Sequence, residues 1–446
     1  VTAHPSLDPI ATREITAALA EANKKFMQRY PGESNRRQAV QTVYGGAHLF
    51  KADSARKLGE VALRSLKEYA PDVQTLSGAL GVKLTQKIYD RVVEKLQREP
   101  VEDFRLDFED GYGNRPDEEE DRHAHLAALE VARGMKEKSL PPFIGIRLKP
   151  LNEDLRARSV RTLDIFITAL AGETKTLPEN FVITVPKVQL PEQVRAAVQL
   201  FELLEKKTGL EVGSLKIELM IETPQSIINE RGEVALHSLV DAANGRCGSV
   251  HFGVYDYTAS CGITAAYQTM GHPACDFARQ MMLVSMAGTG IQLSDGATNI
   301  LPVGPHRATQ DRQLTPEQLR ENREAVHGAW RLAFNDNLHS LRTGFYQGWD
   351  LHPAQFVARY AALYLFFLDG LESAANRLKA FVEKAALASL YGDVFDDAAT
   401  GQGLLNFFLR GVACGAITED EALATGLTLE EFRSRSFLKI LQARRK

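Results

Sequence analysis

Acidic side chains recur in this chain at the ends of short apolar, β-rich runs. Asp107, Glu109 and Asp110 close the run 104–108, Glu222 follows 217–221, Asp256 follows 250–254 and Asp295 follows 291–293. Arg147, Lys187 and His352 stand at the ends of three further runs of the same kind. One polar group after a strand is ordinary loop chemistry. Asp107, Glu109, Asp110, Glu222 and Asp256 gathered into one mouth are another matter, because they repel one another and take up protons unless a cation neutralises them. An all-oxygen donor set selects a hard divalent ion, Mg²⁺ or Mn²⁺, which keeps several waters for exchange with substrate. No histidine cluster competes for a softer metal: His123 and His125 are two apart, diverge on a helix and read as surface residues. His251 lies inside a run and reads as a hydrogen-bonded core histidine, while His352 either caps the fold or orients substrate.

The elements that must position these groups are legible as an alternation. Eight β-rich runs, at 39–46, 104–108, 143–148, 181–185, 217–221, 250–254, 291–293 and 348–351, are separated by helical segments such as 118–137 and 191–208. Strands alternating with helices imply βαβ units and a parallel sheet. Eight units predict a closed (β/α)8 TIM barrel of about 310 residues, whose strand C-terminal ends carry the chemistry. The pattern divides the chain into an N-terminal helical arm (1–40), the barrel with its metal site (41–355) and a C-terminal helical lid domain (356–446). The acidic run 117–121 after Pro116 reads as favourable charge at a helix N-terminus on a solvated face.

Composition narrows the class of partner. Over 446 residues, 53 Lys+Arg against 57 Asp+Glu give a net charge of −4 without long like-charged blocks, so no nucleic-acid footprint is present. No apolar run approaches the roughly 20 residues of a membrane span, and residues 1–10 lack the basic and apolar regions of a signal peptide. Cys247, Cys261, Cys275 and Cys414 fit neither a disulfide framework nor a zinc ribbon. A cytoplasmic enzyme with a small-molecule substrate, assembled as a homo-oligomer, is the expectation. Gly288-Thr-Gly290 is not a dinucleotide fingerprint, since it precedes a strand.

Six segments, in order, resemble the superfamily of citrate lyase β-subunits, malyl-CoA lyases and HpcH/HpaI aldolases, with malate synthase as a more distant relative. Leu106-Asp-Phe-Glu-Asp-Gly111 is similar to its D-L-E-D segment, Ile146-Arg-Leu-Lys-Pro150 to V-R-V-N-P and Val185-Pro-Lys-Val188 to L-P-K-V. Ile221-Glu-Thr-Pro224, Phe252-Gly-Val-Tyr-Asp-Tyr-Thr-Ala-Ser260 and Leu351-His-Pro-Ala-Gln355 resemble its E-T-P, F-G-x-x-D-Y-A-A-S and H-P-x-Q motifs. The resemblance implies that Glu222 and Asp256 bind Mg²⁺, that Asp107, Glu109 and Asp110 hold metal-bound water or brace the shell, and that Arg147 faces a developing oxyanion. Lys187, Asp295 and His352 join them as candidates for holding substrate or bracing the site. Phe395-Asp-Asp-Ala-Ala-Thr400 resembles the malate synthase segment E-D-x-A-T, which implies that Asp397 is a general base, against its alternative as a helix cap. The activity implied is a Mg²⁺-dependent carbon–carbon lyase or Claisen-type synthase acting on a 2-oxo acid or 3-hydroxyacyl substrate. The family's first strand carries basic residues that help to hold coenzyme A, whereas this chain has Gln41-Thr-Val-Tyr-Gly-Gly-Ala-His48, with Lys51 and Lys57 further on. Use of a coenzyme A thioester therefore stays open, and a metal-dependent aldolase joining a pyruvate enolate to an aldehyde is the alternative.

Overall fold

Eight short strands carry the core: β1 (Gln41–Gly46), β2 (Asp103–Asp107), β3 (Phe143–Arg147), β4 (Phe181–Val185), β5 (Lys216–Ile221), β6 (Cys247–Phe252), β7 (Gln292–Ala297) and β8 (Gln347–Trp349). They pair in chain order, all parallel, and β8 returns to β1, so the sheet closes into the (β/α)8 barrel. The computed structural model describes residues 6–8, 10, 12–32, 34, 36–309, 313–383, 389–391, 394–396 and 398–444. The connecting helices bury one apolar stripe each. Gln86–Arg98, for example, is started by the Thr85 hydroxyl, which accepts from Ile88 N, and buries Ile88, Tyr89, Val92 and Leu96.

Among the strand boundaries that differ from the sequence pattern, those of β7 and β6 bear on the site. β7 runs on through Ser294, Asp295 and Gly296, so Asp295 lies within a strand rather than after it. β6 ends at Phe252, and Val254 already opens the short helix Val254–Ser260 that carries Asp256.

Outside the barrel, the helix Arg13–Arg29 buries none of its side chains. Phe356–Leu368 is almost wholly buried against Pro316–Arg342 and Gln86–Arg98. The helices beyond it are fastened at the start of β1, where Gln38 N donates to Ala413 O (3.0 Å) and Arg410 Nη1 to Gln38 Oε1 (3.1 Å). That is the face opposite the strand ends bearing the carboxylates, and among the described residues no hydrogen bond or ion pair runs from this tail to them.

The barrel interior is polar in its lower half. Glu218 on β5, fully buried, accepts from Thr184 Oγ1 (2.7 Å), Ser249 Oγ (2.8 Å), Arg105 Nη2 (2.9 Å) and Tyr44 OH (3.3 Å), groups supplied by β4, β6, β2 and β1. His251 Nε2 stands 2.8 Å from Glu218 Oε2, and its Nδ1 is 3.0 Å from Tyr44 OH, so His251 is a core histidine tied into this cluster. Asp103 pairs with Arg105 and takes the Thr42 hydroxyl. A buried charge persists only with such partners. Burial pushes the Glu218 carboxyl up, but Arg105 and His251 outweigh it and leave it well below the usual carboxylate range.

Candidate active site

Asp107 and Arg147 are register partners at the ends of β2 and β3, which puts their side chains side by side on the inner face. The guanidinium grips Asp107 with two bonds, Nε to Oδ1 at 2.7 Å and Nη2 to Oδ2 at 2.5 Å. The same carboxylate accepts the N–H groups of Glu109 (2.9 Å) and Gly111 (2.7 Å), folding the following loop back over the strand end. Asp107 is thus saturated and braces Arg147. The remaining nitrogen, Arg147 Nη1, faces Glu109 Oε2 at 3.1 Å and Asp110 Oδ2 at 3.6 Å. No N–H is aimed along the first of these lines, so Glu109 Oε2 is buried without a hydrogen-bond partner.

Lys187 follows β4 in a left-handed conformation, φ +50°, uncommon for a residue with a side chain. That turn aims its N–H at Glu222 Oε1, 2.6 Å away. Its ammonium bonds Glu109 Oε1 and lies 3.4 Å from Asp256 Oδ2 and 3.7 Å from Asp110 Oδ2. Glu222 is 1% exposed and packs its stem against Gly253, where a Cβ would sit 2.5 Å from Glu222 Cβ and Oε2. Burial pushes the Glu222 carboxyl up to about 8; Lys187 opposes this, while Glu109 and Asp256 add to it. Glu109 is raised as well, by burial, against the pull of Arg147 and Lys187.

Asp107, Glu109, Asp110, Arg147, Lys187, Glu222 and Asp256 therefore meet at one mouth. The cation that neutralises these carboxylates is in part internal, which corrects the expectation that a metal must do all of it: Arg147 and Lys187 already stand among them. Among the described residues, no three His, Cys, Asp or Glu side chains converge as a ready metal cage. The donor set nonetheless fits a hard cation. It is all oxygen, carboxylates outnumber internal cations five to two, and it includes an orphaned buried oxygen and a carboxyl short of positive charge.

Asp295 and His352 do not join this group. Asp295 is bonded to Arg279 Nη1 (3.1 Å), Ser340 Oγ (2.6 Å) and Gly296 N (2.8 Å), and so ties β7 to the outer helices Pro273–Met286 and Pro316–Arg342. His352 Nδ1 accepts from Ala354 N (3.2 Å), capping the turn Pro353–Gln355. With Tyr44, Gly46 and Lys57 it borders a cavity of about 330 Å³ beside the mouth, and burial lowers its pKa. Asp397 lies outside the described residues. His123 is half-buried, bonded through Nδ1 to Tyr112 OH (2.8 Å), rather than a plain surface residue.

One participant has no counterpart among the residues singled out by motif. The Arg147 guanidinium lies over the Tyr44 ring, 4.9 Å from its centroid, and the Trp349 ring packs against the same tyrosine with centroids 4.5 Å apart. The available signal was alternation: Tyr44, Arg105, Glu218 and His251 occupy the inward parity of their strands.

Fold and mouth together define a (β/α)8 barrel with an ionic cluster at its C-terminal face. The chain belongs to the family described as Domain of unknown function (DUF6986), whose model matches residues 19–440. No curated protein matches it in sequence. Among solved structures, a citrate lyase from Burkholderia xenovorans LB400 shares the fold at TM-score 0.57 and 17% identity, over 87% of this chain and 97% of that one. Protein CitE from Mycobacterium tuberculosis, in complex with magnesium, acetoacetate and coenzyme A, aligns at TM-score 0.47 and 12% identity (86% of this chain, 100% of that one). Haloferax volcanii malate synthase aligns at 0.47 and 15% (91% and 99%). The fold is that of the superfamily the motifs resemble.

Proposed function

We propose that this protein is a divalent-cation-dependent enzyme that makes or breaks a carbon–carbon bond beside the carbonyl of a 2-oxo acid or 3-hydroxyacyl substrate, through an enolate. The observation that carries this is a buried Glu222 short of positive charge, next to Asp256 and facing the same mouth as a braced Arg147. Mg²⁺, or Mn²⁺ in its place, held by Glu222 and Asp256 would supply Lewis-acid polarisation of the carbonyl. Arg147 turns Nη1, the nitrogen outside the Asp107 grip, toward negative charge developing on the substrate oxygen. Lys187 bridges Glu109 and Asp256, screening their mutual repulsion, and adds a second positive charge for a substrate carboxylate. The proton is assigned to Asp397 on the resemblance alone. In a homo-oligomer that residue could serve its own subunit or a neighbouring copy.

A second reading, an aldolase without coenzyme A, is favoured by the end of β1, where Gly45-Gly46-Ala47 offers no basic side chain for a phosphate. A small-molecule substrate and no nucleic acid suit either version. So does a reducing cytoplasm, given four free cysteines. No described helix is long and apolar enough to cross a membrane. The test is a Mg²⁺-dependent screen of 2-oxo acids with acyl-CoAs and with aldehydes, read by mass and by thiol release. Turnover should vanish in Glu222→Gln with the fold retained. Full activity of that variant at saturating Mg²⁺ would overturn the assignment, and turnover of a 2-oxo acid with an aldehyde that needs no acyl-CoA would select the aldolase.

A further inference from the structure

We infer that Tyr44 is the positioning residue for Arg147, fixing the guanidinium plane through a tether to the buried cluster below. Asp107 grips one edge of the guanidinium with two bonds, so the motion left to the group is a hinge about that edge, which swings Nη1 past Glu109 and Asp110. The guanidinium carbon lies over the Tyr44 ring, 4.9 Å from its centroid, so the ring blocks the hinge on that side, a contact that also attracts a cation electrostatically. The ring cannot tilt away. Trp349 packs against it with ring centroids 4.5 Å apart, and the Tyr44 hydroxyl is held between His251 Nδ1 (3.0 Å) and Glu218 Oε1 (3.3 Å).

Glu218 is a firm anchor, since Thr184, Ser249 and Arg105 fix the same carboxylate from three other strands. Packing alone does not explain a tyrosine here. Phenylalanine would fill the space, whereas the hydroxyl joins two ionic layers: Asp103, Arg105, Glu218 and His251 below, Asp107, Glu109, Arg147 and Lys187 above. Tyr44 touches none of the groups assigned to the reacting atoms except Arg147, so it acts through that side chain. The consequence for catalysis rests on the role proposed above for Arg147; the positioning itself rests on geometry.

The experiment uses the full chain and two readouts. Exchange of the Arg147 Nε–H with solvent is followed by ¹H–¹⁵N NMR, the signal being identified by its loss in Arg147→Lys. Affinity for glyoxylate is measured by calorimetry with Mg²⁺ present. Tyr44→Phe, which keeps the ring and cuts the tether, should speed exchange at least threefold. Tyr44→Leu, which removes both, should speed it at least tenfold and weaken glyoxylate binding by a similar factor. If Tyr44→Leu does not fold, Tyr44→Phe carries the test, and His251→Gln, which leaves the bond to Glu218, should speed exchange by less than Tyr44→Phe does. Wild-type exchange rates in the folded variants would overturn the inference. Wild-type glyoxylate affinity in Arg147→Lys, with exchange still faster in the Tyr44 variants, would sink the proposed role of Arg147 and leave its positioning by Tyr44 standing.

Discussion

Asp107→Asn removes one charge and changes one atom, and the structure says where that atom would fall. Oδ1 accepts from Arg147 Nε and Glu109 N, and Oδ2 from Arg147 Nη2 and Gly111 N. Whichever way the asparagine amide is turned, its NH₂ faces two N–H donors. Two hydrogen bonds are lost, and the buried Arg147 loses its closest counter-charge, keeping Glu109 and Asp110 at 3.1 and 3.6 Å. Removing one partner of a buried ion pair costs about 3–5 kcal/mol; the remaining carboxylates place the expected loss toward the lower end, about 3 kcal/mol. Urea unfolding with linear extrapolation at pH 7 measures it. The pH dependence has a definite sign. Burial pushes the Asp107 carboxyl up, but Arg147 and the two N–H groups hold it below the ordinary value. A carboxyl lowered on folding stabilises above its unfolded pKa of about 3.9, and that contribution is lost as pH falls through the folded value. The gap between wild type and variant should therefore be constant from pH 6 to 9 and close on the acid side, below about pH 4. A loss under about 1 kcal/mol, against the range for buried pairs, or a gap that narrows as pH rises, would refute the account of Asp107 as the brace of Arg147.

Three further outcomes are expected. Gly253→Ala places a Cβ 2.5 Å from Glu222 Cβ and Oε2, so Glu222 must shift; stability should fall by about 1–3 kcal/mol and Mn²⁺ affinity, read by EPR titration, should drop at least tenfold, whereas unchanged affinity would separate Glu222 from the metal. With the Glu222 carboxyl at about 8, a divalent cation must displace a proton at neutral pH, so Mn²⁺ affinity should climb about tenfold per pH unit up to that value and level off above it; a flat profile from pH 6 to 9 would mean that Glu222 is already ionised or is not a ligand. Glu218→Ala strands Arg105 in the barrel interior and should cost about 3–5 kcal/mol in urea unfolding; a cost below about 1 kcal/mol would show that Asp103 alone can satisfy that guanidinium.

What the sequence made legible follows from which forces are local. The strands are marked by apolar runs between turn residues, so all eight and their order could be read, as could the acidic groups at their ends. The end of β7 could not, because Ser294-Asp-Gly296 has the composition of a loop; pairing with β6 and β8 draws it into the sheet, and Arg279 and Ser340 satisfy the Asp295 side chain. The internal cations were hidden for a similar reason. That Arg147 meets Asp107 depends on the β2–β3 register, and that Lys187 meets Glu222 depends on one left-handed residue. The attachment of the tail at the start of β1 is purely tertiary and leaves no local pattern. The polar interior did leave one, the period-two series Asp103, Arg105, Asp107 and Glu218, Met220, Glu222, but such residues are easily taken for strand ends when read singly.

Glu218 and Glu222 show why, of the two ionic layers inside the barrel, the upper one is the candidate site. They are the same residue type, four positions apart along the inner face of one strand, and both are at most 1% exposed. Burial drives both carboxyls upward. Glu218 meets donors from four strands and ends well below the usual range, its charge fully met. Glu222 receives one backbone N–H, has Glu109 and Asp256 as acidic neighbours, and is left at about 8. When partners alone separate two such groups, the unsatisfied one is where a cation or a substrate can still gain free energy by arriving. In the lower layer Glu218 has its charge met by neighbouring strands; in the upper layer Glu222 does not.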